Sequence, residues 1–272
     1  MAAKSFFEEY GCALSHSKES KVDPEQYKLH NHYGSYEIYM FLEGDADFII
    51  EGSVYPMEKY DIFLLNPNEF HNVSHHSSGA YERVVFQIDN KFFTKNDCDN
   101  LRRIFDARKI GRQNMIPASF VLENNVLEII ERIEKYSTEE GGEIAVKCGV
   151  LELLYVLNKY KHTEEFLSNN EKITPIIMYI NENITMPLTV DMIAEKFFLN
   201  KYYLCRLFKR HTGLTINKYI TYKRIILVKN LCNEGKTISQ ASAEAGFGNY
   251  SNFYKMYVKD TGKTPKEDLK NI

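Results

Sequence analysis

A chain of 272 residues with 44% hydrophobic and 26% charged content has room for two domains with ordinary cores, and its composition excludes a fibrous or disordered chain. Five cysteines, Cys12, Cys98, Cys148, Cys205 and Cys232, form no CxxC pair and are odd in number, so a reduced, cytoplasmic setting is expected. No charged leader precedes an apolar core and no run of about 18 apolar residues occurs, which argues against secretion and a membrane span. The net charge of −3 hides an asymmetry. From Glu171 onward 16 Lys/Arg face 9 Asp/Glu, a balance of +7, whereas the preceding part holds 18 against 28, a balance of −10. An acidic first part and a basic tail suit a protein whose tail alone meets a polyanion.

The region from Tyr36 to Ile88 reads as short strands separated by turns. Glu37–Leu42 leads to a turn at Gly44-Asp45, Asp47–Ile50 to one at Gly52, and Asp61–Leu65 to one at Asn66-Pro67, with Tyr81–Ile88 as a further strand. This spacing predicts a small all-β sandwich or barrel ending near Asp89. His30, His32, Glu37 and His71 form its one constellation able to carry chemistry, because three imidazoles and a carboxylate can ligate a divalent transition metal. In a strand, His30 and His32 point to one face. The alternative is that these groups line a barrel mouth and bond to backbone or to a ligand. His75 and His76 fall in a Ser-, His- and Gly-rich loop and are expected to be solvated. Tyr33, Tyr36, Tyr39 and Phe41 offer either stacking surfaces for a sugar ring or ordinary core.

The segment HxHx4Ex6G, from His30 through His32 and Glu37 to Gly44, resembles the first motif of the cupin barrel. Pro67-Asn68-Glu69-Phe70-His71 is similar to the second, with the histidine one residue closer to the proline than in metal-binding versions. The expectation is therefore a cupin-like barrel without a resident cofactor or metal.

Two helical patterns follow. Phe120–Tyr136 and Glu143–Tyr160 each place apolar residues on one face, and Gly141-Gly142 breaks the run between them. They read as an antiparallel hairpin whose stripe packs on the barrel, on a second copy, or on both. Lys161–Lys172 is polar and is taken as the linker between a domain of residues 1–160 and one of residues 173–272.

The tail contains one pattern twice. At an offset of 49 residues Ala194 falls on Ala243, Asn200 on Asn249, Leu204 on Phe253, Arg206 on Lys255, Phe208 on Tyr257, Gly213 on Gly262 and Thr215 on Thr264. Thr174-Pro175 is a helix start with a capping hydroxyl, Thr189 with Asp191 another, and Thr237-Ile238-Ser239-Gln240 has the form of a capping box. Asn200 and Asn249 cap two further helices. In the first, Leu204, Leu207 and Phe208 form the buried set, leaving Lys201, Tyr202, Cys205, Arg206 and Lys209 outward; in the second, Phe253, Met256 and Tyr257 are buried, leaving Tyr250, Ser251, Tyr254, Lys255 and Lys259 outward. A long helix from about Ile216 to Cys232 joins the two units.

These residues resemble the DNA-binding domain of the AraC/XylS family of bacterial transcription regulators. The matching pieces are Tyr203–Lys209 before Thr212-Gly213, then Ala243–Phe247 and Ser251–Phe253 before Thr261–Pro265. Val258 stands where that family commonly has lysine, Asn200 where serine is frequent, and Tyr60-Asp61 where the barrel usually has Gly-Asp. The resemblance implies an α+β two-domain chain: a cupin-like β-barrel with a helical hairpin, then an all-α domain with two helix-turn-helix units joined by a long helix. It also implies a homodimer that binds double-stranded DNA and a small-molecule effector such as a sugar, the effector residues being His30, His32, Glu37, Tyr39 and His71. The rival readings are a metal-dependent cupin enzyme with a helical appendage, using His30, His32, Glu37 and His71, and a barrel that serves only for dimerisation.

Overall fold

The computed structural model describes residues 3–7, 11–23, 29–32, 34–67, 69–161 and 173–269. The expected linker, apart from Lys161, and Tyr33 and Asn68 lie outside the described residues. The chain divides into two compact units, residues 1–169 and 170–272.

The first unit opens with β1 (Ala3–Phe7), β2 (Cys12–Glu19), β3 (Ser35–Glu43), β4 (Ala46–Ile50), β5 (Ser53–Pro56), β6 (Ile62–Leu65), β7 (His71–His75) and β8 (Tyr81–Asp89). Helices α1 (Asn90–Lys95) and α2 (Arg103–Asp106), the short β9 (Met115–Ile116), α3 (Ala118–Glu123), α4 (Val126–Tyr136) and α5 (Glu143–Leu157) follow. The strands form a six-stranded sheet, β1-β2-β8-β3-β6-β9, and a three-stranded sheet, β5-β4-β7. The expected barrel thus takes the form of an open two-sheet sandwich.

Strand β3 shows how the large sheet is used. Tyr36, Ile38 and Met40 join Ile62, Leu64, Val84 and Phe86 in a core shared with the helices. Tyr39 and Phe41 face the other way and meet Phe48, Ile50, Tyr55 and Val73 of the small sheet. A strand covered on both sides needs apolar residues at consecutive positions, which is why Ile38–Phe41 is an unbroken apolar run.

Among the described residues five strands, β1, β2, β5, β7 and β9, were not expected from the sequence. Strand β2 pairs with β8 along its whole length, from Cys12 opposite Ile88 to Glu19 opposite Tyr81. Its apolar alternation is lost because Ser15 and Ser17 face a cavity while the His16 ring contacts Glu82 and Glu134. His75 belongs to β7 and packs edge-on against Tyr81 at 4.5 Å, so it is not simply solvated, whereas His76 is exposed as expected, with its ring 3.2 Å from Asp47. His30 is not in a strand but forms an isolated bridge with His71. Tyr60 takes the left-handed conformation (φ 77°) that glycine would supply at that turn.

The first expected helix of the hairpin is two helices. Asn125 adopts a left-handed φ of 51° and separates α3 from α4. Val121, Ile129, Ile130 and Ile133 then pack with Val146, Val150, Leu153 and Leu157 of α5 against the sheet.

The second unit comprises α6 (Thr174–Glu182), α7 (Val190–Lys196), α8 (Lys201–Thr212), α9 (Ile216–Asn233), α10 (Ile238–Glu244), α11 (Tyr250–Thr261) and α12 (Pro265–Asp268). Helix α6 is capped by Ile173 without a side-chain bond, one residue before the expected Thr174, because Thr174 already has helical geometry and Pro175 occupies the next place. The other caps fall as read: Thr189 accepts from Met192 N, and Thr237 with Gln240 closes a capping box.

Candidate functional sites

A cavity of about 200 Å³ lies between the two sheets, lined by Ser15, Ser17, His30, His32, Glu37, Tyr39, Phe48, His71, Val73, Arg83, Val85 and Gln87 among others. All five expected effector residues line it. The His30 and His71 backbones exchange hydrogen bonds of 3.0 and 2.9 Å, which fixes their side chains opposite one another, and the ring centroids lie 4.4 Å apart. Glu37 sits 3% exposed below them on β3. Its Oε2 lies 2.9 Å from His32 Nε2 and its Oε1 3.8 Å from His71 Nε2.

Hydrogen bonding assigns the tautomers. The Gln87 amide donates to His32 Nδ1 at 3.1 Å, so Nε2 of His32 carries the proton that meets Glu37. His71 Nδ1–H donates to the Glu69 carbonyl at 3.0 Å, which leaves a lone pair on Nε2. Burial pulls the His71 imidazole down to about 4, against the opposing pull of Glu37, so the ring is neutral at pH 7. Burial alone raises the Glu37 carboxyl, yet the hydrogen bond from His32 and the neighbouring histidines outweigh it and hold the group below the usual carboxylate range.

Tyr39 is less available than its spacing implied. Its ring stacks on Phe48 at 4.7 Å and its hydroxyl pairs with that of Tyr81. The sequence reading missed Ser15, Ser17, Arg83 and Gln87. A signal existed on β8, where Arg83, Val85 and Gln87 alternate with the fully apolar set Val84, Phe86 and Ile88 and so mark a half-polar inner face.

The second site is the pair of helices α8 and α11. Asn200 accepts from Tyr202 N and Tyr203 N, and Asn249 from Asn252 N. Leu204, Phe208, Phe253 and Tyr257 are fully buried, while Leu207 and Met256 are half-buried. Gly213 and Gly262 end the two helices in the same left-handed conformation, φ 71° and 72°, where a side chain would be strained. Thr215 and Thr264 then cap the next helices by accepting from Lys218 N and Glu267 N. The offset of 49 thus corresponds to one structural unit built twice, although Ala194 is buried and its counterpart Ala243 exposed. Lys201, Tyr202, Cys205, Arg206, Lys209, Tyr250, Ser251, Tyr254, Lys255 and Lys259 are all exposed. Lys201 is engaged, its Nζ lying 2.8 Å from Asp191 Oδ2.

Residues 193–271 match the pattern of a helix-turn-helix domain, and residues 22–96 that of the AraC-like ligand binding domain. The chain is 18% identical over 244 residues to the HTH-type transcriptional activator RhaS of Enterobacter sp. (strain 638), covering 87% of this chain and 86% of that one. RhaS of Escherichia fergusonii is 19% identical over the same span. Among solved structures, ToxT from Vibrio cholerae is 15% identical over 95% of this chain and 98% of its own, with a TM-score of 0.38. A ligand-binding β-sandwich ahead of a doubled helix-turn-helix defines a two-domain transcription regulator. The two matches together are consistent with a regulator of the AraC/XylS family.

Proposed function

We propose that the chain acts in the cytoplasm as a homodimer that binds specific double-stranded DNA through α8 and α11, controlled by a small polar effector held in the sandwich cavity, and that it has no catalytic activity. The observation that carries this reading is the doubled unit itself, with cap, buried stripe, left-handed glycine and second cap repeated at one offset and an exposed basic helix in each copy. The helices enter successive major grooves about one helical turn apart. Arg206 reads a base, since guanidinium can bond guanine O6 and N7 together. Lys209, Lys255 and Lys259 hold phosphates, and Lys201 does so only by leaving Asp191. The effector bonds to His30, His32, Glu37 and His71 and packs beside Tyr39.

The α5 surface supports the dimer. Ile144 is 64% and Tyr155 58% exposed, with Cys148 between them on the face opposite Val146, Val150 and Leu153. The test is binding of the purified chain to the DNA upstream of its own coding sequence across a salt series, against a random duplex of equal length. Tighter binding to the upstream DNA with a steep salt slope is expected. Equal, weak binding to both in the presence and absence of candidate effectors would overturn it.

A further inference from the structure

Phe198, in the turn between α7 and α8, is 97% exposed, and its backbone takes the left-handed conformation, φ 53°. The position follows from how α7 ends. Leu199 N–H donates to the Ala194 carbonyl at 2.9 Å and Phe198 N–H to the Glu195 carbonyl at 3.1 Å, the paired bonds of a Schellman motif with Phe198 at its left-handed residue. Glycine is the usual occupant, because a side chain is strained there. The second helix-turn-helix unit follows that preference. Phe247 N–H donates to the Ser242 carbonyl and Gly246 N–H to the Ala243 carbonyl, and the left-handed residue is Gly246, φ 86°, where a Cβ would also meet the Thr185 carbonyl at 2.6 Å. In the first unit Ala194 and Leu199, the apolar positions that such a motif brings together, are buried and half-buried, so the turn is closed without the Phe198 ring. A large ring in a strained, solvent-facing place serves neither folding nor solubility, which directs attention to a surface that covers it.

The surroundings of the ring select DNA as that surface. Phe198 lies two residues ahead of Asn200, the cap of α8, so whatever meets the first turn of α8 also meets the ring. Across Asp191–Arg210 five Lys/Arg stand against two acidic residues, and the N-terminus of α8 adds its partial positive charge. We propose that Phe198 is an apolar specificity contact of the first helix-turn-helix unit, its ring packing on a thymine methyl at the edge of the major groove that α8 enters. The methyl is the apolar group that base edges offer in that groove, and phenylalanine is among the side chains that meet it. This contact rests on the DNA-binding reading above and adds to it a term that carries no charge.

The test compares the full chain with Phe198→Gly and Phe198→Asn, two residues that accept the left-handed conformation. Each is titrated with the upstream DNA and with the same duplex in which deoxyuridine, lacking the methyl, replaces every thymine. Both variants should unfold at a higher midpoint than the parent, because strain is relieved. Both should bind the upstream DNA about 10-fold or more weakly with an unchanged salt slope, because the lost contact is apolar and no phosphate contact goes with it. Deoxyuridine should cost the parent about fourfold more in affinity than it costs either variant, the worth of one buried methyl. Variants that bind like the parent would overturn the proposal. So would a lower unfolding midpoint, which would assign the ring to the fold, a shallower salt slope, which would mean that α8 itself had moved, or equal deoxyuridine losses in parent and variants. A parent chain with no preference for the upstream DNA would remove the DNA-binding reading and this contact together, whereas a parent and a Phe198→Gly chain that bind it equally well would remove the contact alone.

Discussion

The carboxylate of Glu69, 0% exposed, receives five N–H donors: Arg108 Nη1 at 2.7 Å and Nη2 at 2.6 Å, Gly111 N at 2.7 Å, Asn66 N at 3.0 Å and Asn114 Nδ2 at 3.1 Å. Burial alone would raise its pKa, but the Arg108 guanidinium and the backbone donors overcome that and hold it below the ordinary range. The same residue's carbonyl orients His71, so a buried ion pair underlies one wall of the cavity. Arg108→Met removes the charge partner and strands a buried carboxylate, which should cost about 3–5 kcal/mol in urea unfolding. Adding Glu69→Gln to that variant should recover part of the loss, and no recovery would show that the pair acts only through packing. In the second unit Asp268 accepts from Lys229 Nζ at 2.8 Å and from the Tyr257 hydroxyl at 2.7 Å. Burial raises its pKa, but these two partners lower it by more, leaving it below the ordinary aspartate value. A depressed carboxyl stabilises fully above its unfolded pKa of about 3.9 and loses that contribution as pH falls through the lower folded value. Asp268→Asn should therefore be less stable by about 1 kcal/mol at pH 7, with the deficit closing below about pH 4 in denaturation series run at each pH.

At the scale of elements, the two helix-turn-helix units are stable for local reasons, and those reasons are written in adjacent residues. Asn200→Ala and Asn249→Ala should each cost about 1 kcal/mol, because each removes the acceptor for the first-turn N–H groups of an exposed helix. The sites have separate partners, so the double variant should lose the sum, and a large departure from additivity would show that the units are coupled through α9. The same locality explains what could be read in advance. Caps, left-handed glycines and the i, i+3, i+4 stripe lie within a dozen residues, so α8 and α11 were legible together with their exposed faces. The spacing of His30, His32, Glu37 and His71 likewise placed four groups in one cavity. Strand β2 was not legible, because Ser15 and Ser17 are inward residues of a polar cavity rather than of an apolar core. Arg83 and Gln87 joined the site only through pairing across many residues, Ser15 standing opposite Val85 and Glu37 opposite Gln87. Nothing local in the sequence links Glu69 to Arg108, and the break at Asn125 was hidden because its left-handed turn keeps Val121 and Val126 in one core.

At the scale of the whole molecule, the basic balance of the second half suits contact with phosphates. Each phosphate neutralised by Lys or Arg releases counterions, so log K falls with log salt at a slope near −0.9 per contact. A chain acting alone makes one set of contacts, whereas a dimer makes two and has about twice the slope. Helix α5 carries the apolar face that the proposed dimer requires: Val146, Val150, Leu153 and Leu157 are spent on the unit's own core, while Ile144 and Tyr155 remain outside it. Ile144→Asp with Tyr155→Asp places two charges on that face without touching the buried set. The double variant should be monomeric by light scattering, keep the far-ultraviolet spectrum of the parent chain, and bind upstream DNA with roughly half the parent's salt slope. Its affinity should fall by about 10²-fold or more, because the second binding event no longer occurs at the high effective concentration that linkage provides. A variant that stays dimeric would place the interface elsewhere. A monomer with the parent's slope would mean that one pair of helices, α8 and α11 of a single chain, supplies every phosphate contact.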